Sequence, residues 1–388
     1  MREVYVDNAA TTAVLPEVID AMMPYWIEKW GNPSSLHSKG QEVVPALDNA
    51  RQSIADLLGC SRHEIFFTSG GSESDNWAIK GVMRRSGGKK HLITTQIEHH
   101  AVLHTCKALE KEGYKVTYIG VDERGIVKLS ELEAAIDDDT ALVAVMMANN
   151  EIGTIQPIKE IVRIAHSKGV LVFTDAVQAV GAIPVNVQDL GVDLLALSGH
   201  KFHAPKGIGA LYVRKGVRLQ SLIDGGGQER GRRGGTENVA MAVALAKALE
   251  IAVAKLPEND RIVAMRDRLI DGLMKIPHTI LNGDRSQRLP GNVNVAFEFI
   301  EGESLILLLD RAGIYASTGS ACSTASLDPS HVLLALGLPH EKAHGSLRLS
   351  LSHENTEEDI DYILETVPGI VKRLRDMSPL YNSRGNSK

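Results

Sequence analysis

The chain is poor in cysteine: its 388 residues include only Cys60, Cys106 and Cys322. The three are widely spaced, odd in number and without a CxxC pair. This pattern argues against a disulfide framework and against a structural zinc site, and at least one thiol should be free.

Long apolar runs and an excess of positive charge are also lacking. No run approaches the roughly 20 apolar residues of a membrane span, and residues 1–5 have no apolar signal-peptide core. A net charge of −6 gives no electrostatic reason to bind nucleic acid or an anionic membrane. We therefore expect a cytoplasmic protein with no nucleic-acid or membrane partner.

What is present is the composition of a globular protein large enough for two domains, with 44% hydrophobic and 23% charged residues. Short β-rich runs alternate with amphipathic stretches between residues 64 and 213, which predicts an α/β sheet covered by helices. The predicted strands are residues 64–68, 91–95, 116–119, 141–147, 170–174, 194–197 and 208–213. The predicted helices are residues 75–85, 99–112, 130–136, 158–168 and 240–255.

Residues 257–260, Pro-Glu-Asn-Asp, interrupt the last of these helices and mark the best position for a domain boundary. We expect a large domain over residues 1–256 and a small α+β domain over residues 257–388. Whether residues 1–15 pack on the small domain stays open. The predicted elements of the small domain are helices 262–276, 304–312 and 357–375 and strands 292–297 and 347–351.

Lys201 and Asp175 are the most informative pair of residues. The apolar run 170–174 predicts a buried parallel strand with Asp175 at its carboxyl end. The run 194–197 predicts a second such strand, after which Lys201 lies at the same edge of the sheet. A lysine amine forms the Schiff base with pyridoxal phosphate, and a carboxylate keeps the pyridine nitrogen protonated. The alternative is a surface lysine and a strand-end cap, but the shared edge favours a pyridoxal phosphate site.

Ser69, Gly70, Gly71 and Ser72 follow the first predicted strand and precede a helix. Free N–H groups at a helix start bind phosphate, glycines allow close approach, and Ser72 adds a hydroxyl. Such a turn is often only an N-cap. Its position before Asp175 and Lys201 favours the phosphate site.

Further polar side chains follow predicted strands at the same edge. An imidazole at His99 could stack on the pyridine ring and transfer protons, with His100 as the competing residue. Asn150 follows strand 141–147, and Gln178 could bond the cofactor's phenolic oxygen. Gly-rich residues 225–235 could be a linker, but their Glu and Arg content and their position before a helix favour a binding loop.

Seven motifs together make the chain resemble the cysteine desulfurases of the NifS/IscS type, over almost its whole length. These motifs are residues 6–12 (VDNAATT), 31–35 (GNPSS), 68–70 (TSG), 149–154 (NNEIGT), 198–201 (SGHK), 231–238 (GRRGGTEN) and 319–322 (GSAC). The resemblance implies the aspartate aminotransferase-like fold of pyridoxal phosphate enzymes. In that fold a large domain with a mostly parallel seven-stranded sheet carries a smaller α+β C-terminal domain.

The resemblance also assigns roles to individual residues. It implies that Lys201 is the Schiff-base lysine and that Cys322, on a mobile loop of residues about 317–328, is the nucleophile. It implies that Arg348 and Asn32 bind substrate, and that Thr236 reaches the phosphate of a neighbouring subunit in a homodimer. The implied cofactor ligands are Gly71, Ser72, His99, Asn150, Asp175, Gln178, Ser198, His200, Lys201 and Thr236.

The context of Cys322 agrees with this role, because the flanking residues 318–326 are small and polar and have little to bury. Cys60 and Cys106 instead fit the usual role of cysteine as a small buried hydrophobe. No intrinsic metal is implied, although Cys322 could transiently ligate a cluster together with a scaffold partner. For Arg348 the alternative is a surface arginine at a strand edge.

The implied reaction removes sulfur from L-cysteine, yielding L-alanine and a persulfide on Cys322, and passes the sulfur to an iron-sulfur scaffold protein. The alternatives are a selenocysteine lyase, an aminotransferase, and a non-catalytic scaffold protein that retains the fold. Two departures from the family pattern stand out. Ser352 and His353 occupy the place of a second arginine, and Gly71-Ser72 replaces the commoner Ala-Thr or Gly-Thr.

Overall fold

The structure is a computed structural model that describes residues 2–318 and 329–381. Within these residues the chain forms twelve strands and sixteen α-helices. The strands are β1 (Val4–Tyr5), β2 (Ile65–Thr68), β3 (His91–Thr95), β4 (Lys115–Ile119), β5 (Thr140–Ala144), β6 (Leu171–Asp175), β7 (Leu194–Ser198), β8 (Gly209–Val213), β9 (Thr279–Leu281), β10 (Asn292–Phe297), β11 (Ile314–Tyr315) and β12 (Ser346–Ser350).

Helices surround the sheets that these strands form. In chain order they are α1 (Pro16–Met22), α2 (Pro24–Ile27), α3 (Ser38–Gln41), α4 (Val44–Leu58), α5 (Gly71–Met83), α6 (His100–Lys111), α7 (Leu129–Ala135), α8 (Ile158–Ser167), α9 (Val187–Leu190), α10 (Gln228–Gly231), α11 (Val239–Ala254), α12 (Asn259–Leu273), α13 (Gly302–Arg311), α14 (His331–Ala335), α15 (His340–Ala343) and α16 (Glu357–Asp376). Three 3₁₀ helices lie at Arg62–Glu64, Gly199–Lys201 and Leu256–Glu258.

The central sheet has seven strands in the order β2-β8-β7-β6-β5-β3-β4, and only β8 runs antiparallel to its neighbours. This confirms the predicted α/β class and the mostly parallel seven-stranded sheet. Strands β5, β7 and β8 are buried along their whole length, and β6 is buried except at its first residue, Leu171, as expected for a sheet covered on both faces. Because strands β3 to β7 pair in parallel, their carboxyl ends share one edge of the sheet.

A second, antiparallel sheet has the order β12-β10-β9, and β1 pairs in parallel with β11. The hydrophobic core around this smaller sheet draws on helices α12, α13 and α16. It also takes in Val4 and Val6 from the start of the chain. The N-terminal strand thus packs with the C-terminal elements, while the proposed domain boundary at residue 257 stays a prediction.

The amphipathic period explains why the helices form where they do. In α8, Ile158, Ile161, Val162 and Ala165 are buried at the i, i+3, i+4, i+7 spacing. The polar residues between them face solvent. No helix in the described part of the chain is long and apolar enough to cross a membrane.

Three details differ from the expectations. Helix α5 begins at Gly71 rather than at residue 75, because the Gly/Ser turn itself forms the first helical turn. Strand β5 ends at Ala144 rather than at residue 147, where the chain bends into the Asn149 turn. Several elements were not predicted: helices α1 to α4, α9, α10, α14 and α15 and strands β1, β9 and β11. For α4 the spacing of Leu47, Ile54 and Leu58 and the glycine after them, Gly59, were available as signals.

Gly209 offers a test of how tightly the sheet is packed beside the glycine turn. A Cβ at this position would lie 2.6 Å from the carbonyl oxygen of Leu197 and 2.8 Å from the Cα of Gly70, and both are backbone atoms. We expect Gly209→Ala to lower the free energy of unfolding by about 1–3 kcal/mol. Gly369 in α16 has open space around it, so Gly369→Ala should raise stability by about 0.5–1 kcal/mol. Urea unfolding of both variants checks this, and equal effects would contradict it.

Candidate active site

The site forms where strands β6 and β7 end side by side. Asp175 is the last residue of β6 and pairs with Ala196 of the parallel strand β7, which ends at Ser198. The 3₁₀ helix that follows contains His200 and Lys201. The predicted meeting of Asp175 and Lys201 at one edge is what the structure shows.

The Lys201 amine contacts a segment from the start of the chain. Its Nζ donates to the carbonyl oxygens of Ala9 at 2.6 Å and Ala10 at 2.8 Å. The amide of Thr12 donates to the carbonyl oxygen of His200 at 3.0 Å. We call residues 7–12 the N-terminal strap. Although its motif was recognised in the sequence, its contact with the lysine was not foreseen.

Asp175 is a buried carboxylate, 5% exposed, and one of its oxygens accepts from the amide of Val177 at 2.9 Å. Burial raises its pKa, while the Val177 bond and the nearby Lys201 charge act in the opposite direction. A cation next to this carboxylate would favour its ionised form. Asp175 therefore suits a protonated ring nitrogen.

Two further buried acids lie near Asp175, and the sequence did not single them out. Asp75 on α5 is 1% exposed, and its Oδ1 has no hydrogen-bond partner among the described residues. Burial and the charges of Asp175 and Glu98 raise the pKa of Asp75. Burial also raises the pKa of Glu98 to about 8, despite a 2.6 Å bond from Thr95 and bonds from the Met146 amide. A carboxylate on the apolar face of α5 was the signal available for Asp75.

The first turn of α5 and the loop after β7 enclose a recess of about 370 Å³. The lining includes Gly71, Ser72, Ser198 and His200, as predicted for a phosphate site. Thr11, Lys206 and Gly207 also line it and were not predicted. A Cβ on Gly71 would lie 2.7 Å from Cγ2 of Val177, so glycine is what allows the helix start to approach the loop after β6.

His200 lies on the wall of this recess, where its Nδ1 is 3.2 Å from the hydroxyl of Thr11. Burial and the charges of Lys201 and Lys206 lower the pKa of His200 to about 4. The ring is therefore neutral at physiological pH. It can offer one N–H donor to an anion in the recess.

His99 is the N-cap of α6, and its Nδ1 accepts from the amide of Ala101 at 3.1 Å. The bond places the ring proton of the neutral imidazole on Nε2. Burial, together with Lys201 and neighbouring histidines, lowers the pKa of His99 to about 4. His99 is thus a neutral, fixed ring near Lys201. His100, the competing choice, packs its ring against His104 and His331 at centroid distances of 5.1 and 4.9 Å.

Gln178 and Asn150 lie at the same edge, half-buried. The side-chain amide of Gln178 donates to the carbonyl oxygen of Ala9 at 3.0 Å, which places it beside Lys201 on the strap. The main-chain carbonyl oxygen of Asn150 accepts from Nη1 of Arg348 at 3.1 Å. Of the two predicted ring partners, Asn150 thus contacts the predicted substrate arginine, and Gln178 shares its acceptor with Lys201.

Arg348 lies in β12 and is buried, at 2% exposure, so the surface alternative is wrong. Its Nη2 pairs with Oδ1 of Asp7 at 2.8 Å, and its Nε has no hydrogen-bond partner among the described residues. Glu151 is a second buried acid in this region. Burial raises its pKa to about 7, although the Ser330 hydroxyl bonds it and Arg348 attracts it.

Thr236 and Asn32 are exposed, and neither has a hydrogen bond to the other predicted site residues that the structure describes. Thr236 follows Arg233, which forks onto Glu73 in the first turn of α5 at 2.9 and 3.1 Å. The Gly-rich segment is thereby fixed beside the recess that Gly71 and Ser72 line. The Asn32 side chain accepts from the amide of Ser34 in its own turn at 2.9 Å.

His353, which replaces the family's second arginine, lines a cavity of about 120 Å³ together with Lys201, Gln178 and Ser352. Cys322 lies outside the described residues. The two described cysteines are free thiols, and burial raises the pKa of both Cys60 and Cys106 to about 12. Neither is a thiolate at neutral pH, in line with a structural role.

Comparison with known proteins shows the family of this chain. The family described as Aminotransferase class-V matches residues 4–363. A cysteine desulfurase IscS from Methanosarcina thermophila is 59% identical, over 98% of this chain and 94% of that protein. A cysteine desulfurase IscS from Clostridium botulinum is 55% identical, over 100% of this chain and 99% of that protein.

Solved structures agree. A NifS-like protein is 45% identical with a TM-score of 0.91, covering 96% of this chain and all of that one. A structure of SspA in complex with cysteine is 38% identical with a TM-score of 0.80, covering 90% and 98% of the two chains. The chain belongs to the class-V aminotransferase family and, within it, to the cysteine desulfurases of the NifS/IscS type.

Glu98 should make the stability of the cofactor-free protein fall as the pH rises. The unfolded carboxyl ionises near pH 4.3, whereas the folded one has a pKa of about 8. Between these values the unfolded chain binds fewer protons, so the free energy of unfolding decreases with pH. We expect Glu98→Gln to gain stability relative to the parent between pH 5 and pH 8, as measured by urea unfolding.

Glu73→Gln is the matched control. The pKa of Glu73 is lowered by its bonds from Arg233 and Ser69, against the effect of burial, so this carboxylate does not titrate between pH 5 and 8. The difference between this variant and the parent should stay constant over that range. A constant difference for Glu98→Gln as well would contradict the assignment.

Proposed function

We propose that the chain uses pyridoxal phosphate to remove sulfur from L-cysteine, with L-alanine and a persulfide on Cys322 as products. The observation that carries this proposal is the meeting of Lys201, Asp175, His99 and the glycine-lined recess at one sheet edge, beside the buried Arg348. The full-length similarity to cysteine desulfurases supports it.

The residues present fit the cofactor. Gly71, Ser72, Ser198 and His200 surround a recess at the amino end of a 13-residue helix, where free N–H groups favour a phosphate. Asp175 is a buried carboxylate whose pKa is raised by burial, so a neighbouring cation would favour its ionised form. When bound, pyridoxal phosphate supplies an aldehyde that captures an amine and a ring that accepts electrons.

Lys201 would hold the cofactor and move the substrate's Cα proton. Its amine is kept at the sheet edge by the carbonyl oxygens of Ala9 and Ala10, which are close enough to accept its hydrogens. Asp175 would pair with the ring nitrogen, and Gln178 and Asn150 would flank the ring. Each of these roles suits the chemistry of the side chain.

His99 suits a stacking role better than that of a base. Its Nδ1 is engaged by the Ala101 amide, and its lowered pKa of about 4 makes protonation at neutral pH unfavourable. The ring can therefore cover the cofactor face and donate from Nε2. Of the two candidates for the Cα proton, Lys201 is favoured.

Arg348 would receive the substrate carboxylate, as a planar guanidinium with N–H groups still available can do. Its burial strengthens this contact, because little water competes for the charge. Asn32 is proposed as a further substrate contact. Because it is exposed in the single chain, we propose that it contacts substrate bound by the partner subunit.

The sulfur transfer balances without an external oxidant. The Cys322 thiolate attacks the sulfur of L-cysteine, an S–S bond forms, and the Cβ–S bond of the substrate breaks. The Cβ takes up a proton and the substrate leaves as L-alanine, while the transferred sulfur stays on Cys322. Only a thiolate is nucleophilic enough for this step.

We further propose that the protein acts as a homodimer in which Thr236 reaches the partner's phosphate site. Thr236 is exposed at a segment fixed beside the recess by the Arg233–Glu73 pair. A group of exposed apolar side chains near the start of the chain supplies area for an interface. They are Trp26 (54% exposed), Ile27 (64%), Trp30 (67%) and Leu36 (95%).

An iron-sulfur scaffold protein is proposed as the sulfur acceptor, with Cys322 as the point of transfer and no resident metal. We also propose a cytoplasmic location. The free thiols of Cys60 and Cys106 and the thiol required at Cys322 suit a reducing compartment.

The central experiment measures sulfide and alanine released from L-cysteine in the presence of a thiol reductant. The parent should yield both in equal amounts. Lys201→Ala should lose both products by about 100-fold or more, since it removes the proton-transfer group. Cys322→Ala should do the same, since it removes the sulfur acceptor, while Cys60→Ala serves as the control and should behave as the parent.

The other outcomes separate the alternatives. Full turnover of cysteine by Cys322→Ala would overturn the thiol's role and make selenocysteine the next substrate to test. A cofactor-loaded parent that releases neither product would favour another substrate or a non-catalytic scaffold.

The dimer is tested by light scattering coupled to size-exclusion chromatography. We expect a mass of about twice the 42.0 kDa of the chain. Replacing Ile27 and Trp30 together by Asp should shift the protein towards monomer, because two charges would enter the apolar interface. Leu307→Asp, at a similarly exposed position in α13, is the control. A parent that is monomeric at micromolar concentration would contradict the proposal.

A further inference from the structure

The N-terminal strap connects the two charged groups on which the proposed reaction depends. At its start, Asp7 pairs with Arg348 at 2.8 Å. Two residues further on, the carbonyl oxygen of Ala9 accepts from Lys201 and from Gln178. Within residues 7–10 the strap thus contacts the arginine through Asp7 and the lysine through Ala9 and Ala10.

The strap is also fixed to the strand that carries Arg348. The side chain of Asn8 donates to the carbonyl oxygen of Ser350 at 2.8 Å, and the amide of Ala9 donates to the Ser350 hydroxyl at 2.9 Å. Ser350 lies two residues after Arg348 in β12. The Asp7 carboxylate therefore has a defined position relative to the guanidinium.

Two contacts set the orientation of the Arg348 guanidinium. Nη1 donates to the Asn150 carbonyl oxygen and Nη2 to Asp7, and these two bonds hold the plane from both ends. Nε is buried without a partner among the described residues. A buried N–H without a partner is costly, so the Nε edge of the guanidinium, which we call its free edge, favours binding of an additional acceptor.

Asp7 is the carboxylate that directly pairs with Arg348. Glu151 is also close, but its carboxyl accepts the hydroxyl of Ser330. Without Asp7, the guanidinium would lose its counter-ion and one of the two bonds that fix its plane. Truncating one partner of a buried charge pair leaves the other charge unsatisfied and mobile.

We propose that Asp7 is a positioning residue for the reaction: it fixes the Arg348 guanidinium so that the free edge receives the carboxylate of the amino-acid substrate. The inference rests on the proposed function for the identity of that substrate. Asp7 acts through Arg348 and contributes to the binding of the amino acid rather than to the bond-breaking step.

The test is a double-mutant cycle of the cofactor-loaded protein: the parent, Asp7→Ala, Arg348→Ala and the double variant. For each, kcat and KM for L-cysteine and the Kd of L-alanine are measured, the latter from the absorbance of the bound cofactor. Asp7→Ala should raise both KM and Kd by about ten-fold or more, with kcat changed by less than about three-fold. In the Arg348→Ala background the same change should have almost no effect.

Two further variants sharpen the interpretation. Asp7→Asn keeps an acceptor for Nη2 but loses the charge, so its KM should lie between those of the parent and Asp7→Ala. Asp359→Asn is the matched control, because Asp359 also pairs with an arginine, Arg2, at 2.7 Å and is similarly shielded. It should leave KM and kcat unchanged.

A purely structural strap would give another result. If Asp7 only keeps Ala9 and Ala10 against Lys201, Asp7→Ala should lower kcat equally with and without Arg348, and this would overturn the inference. An unchanged KM and Kd in Asp7→Ala would also overturn it. If the parent binds L-alanine but releases no sulfide, the proposed function fails while the Kd cycle still decides the role of Asp7.

Discussion

Parallel pairing of β6 with β7 is the constraint on which the site depends. Because Asp175 pairs with Ala196, strand β7 ends just beyond Asp175 on the same edge, and the next turn carries Lys201. Strand β8 then returns antiparallel and lies between β7 and β2. Strand β2 therefore ends at the same edge, and the glycine turn after it reaches Ser198. The registers of these three pairings thus bring together the lysine, the acid and the glycine-lined recess.

The acidic side chains at this edge have few counter-charges within the protein. Asp75, Glu98 and Asp175 are three buried carboxyls with raised pKa values, and they share few compensating cations. Burial favours their protonated forms, whereas a ring cation beside Asp175 would favour ionisation of that residue. Two half-buried histidines, His99 and His200, have lowered pKa values, so the site carries less charge than its sequence suggests. The unfavourable free energy of burying these carboxyls therefore falls where a positively charged ligand could offset it.

The N-terminal strap adds a second constraint. Val4 and Val6, just before it in the chain, pack with the C-terminal elements, and the strap itself contacts Lys201 through its carbonyl groups. Arg348 and Lys201, for which we propose substrate and cofactor roles, belong to different parts of the chain, and the strap contacts both of them. Geometry at the reacting centre thus depends on residues that are about 190 positions distant from Lys201 in the sequence.

Local patterns in the sequence by themselves determined the α/β class, all seven strands of the central sheet and the position of Asp175 and Lys201 at strand ends. This worked because buried strands are apolar runs and because the carboxyl ends of parallel strands share an edge. The motifs determined the family. Only the tertiary structure decided that Asp7 pairs with Arg348, that Asp75 and Glu98 lie near Asp175, and that His99 uses its Nδ1 as a helix cap. These contacts join residues from distant segments, and neither spacing nor periodicity encodes which side chains meet when separate elements pack together.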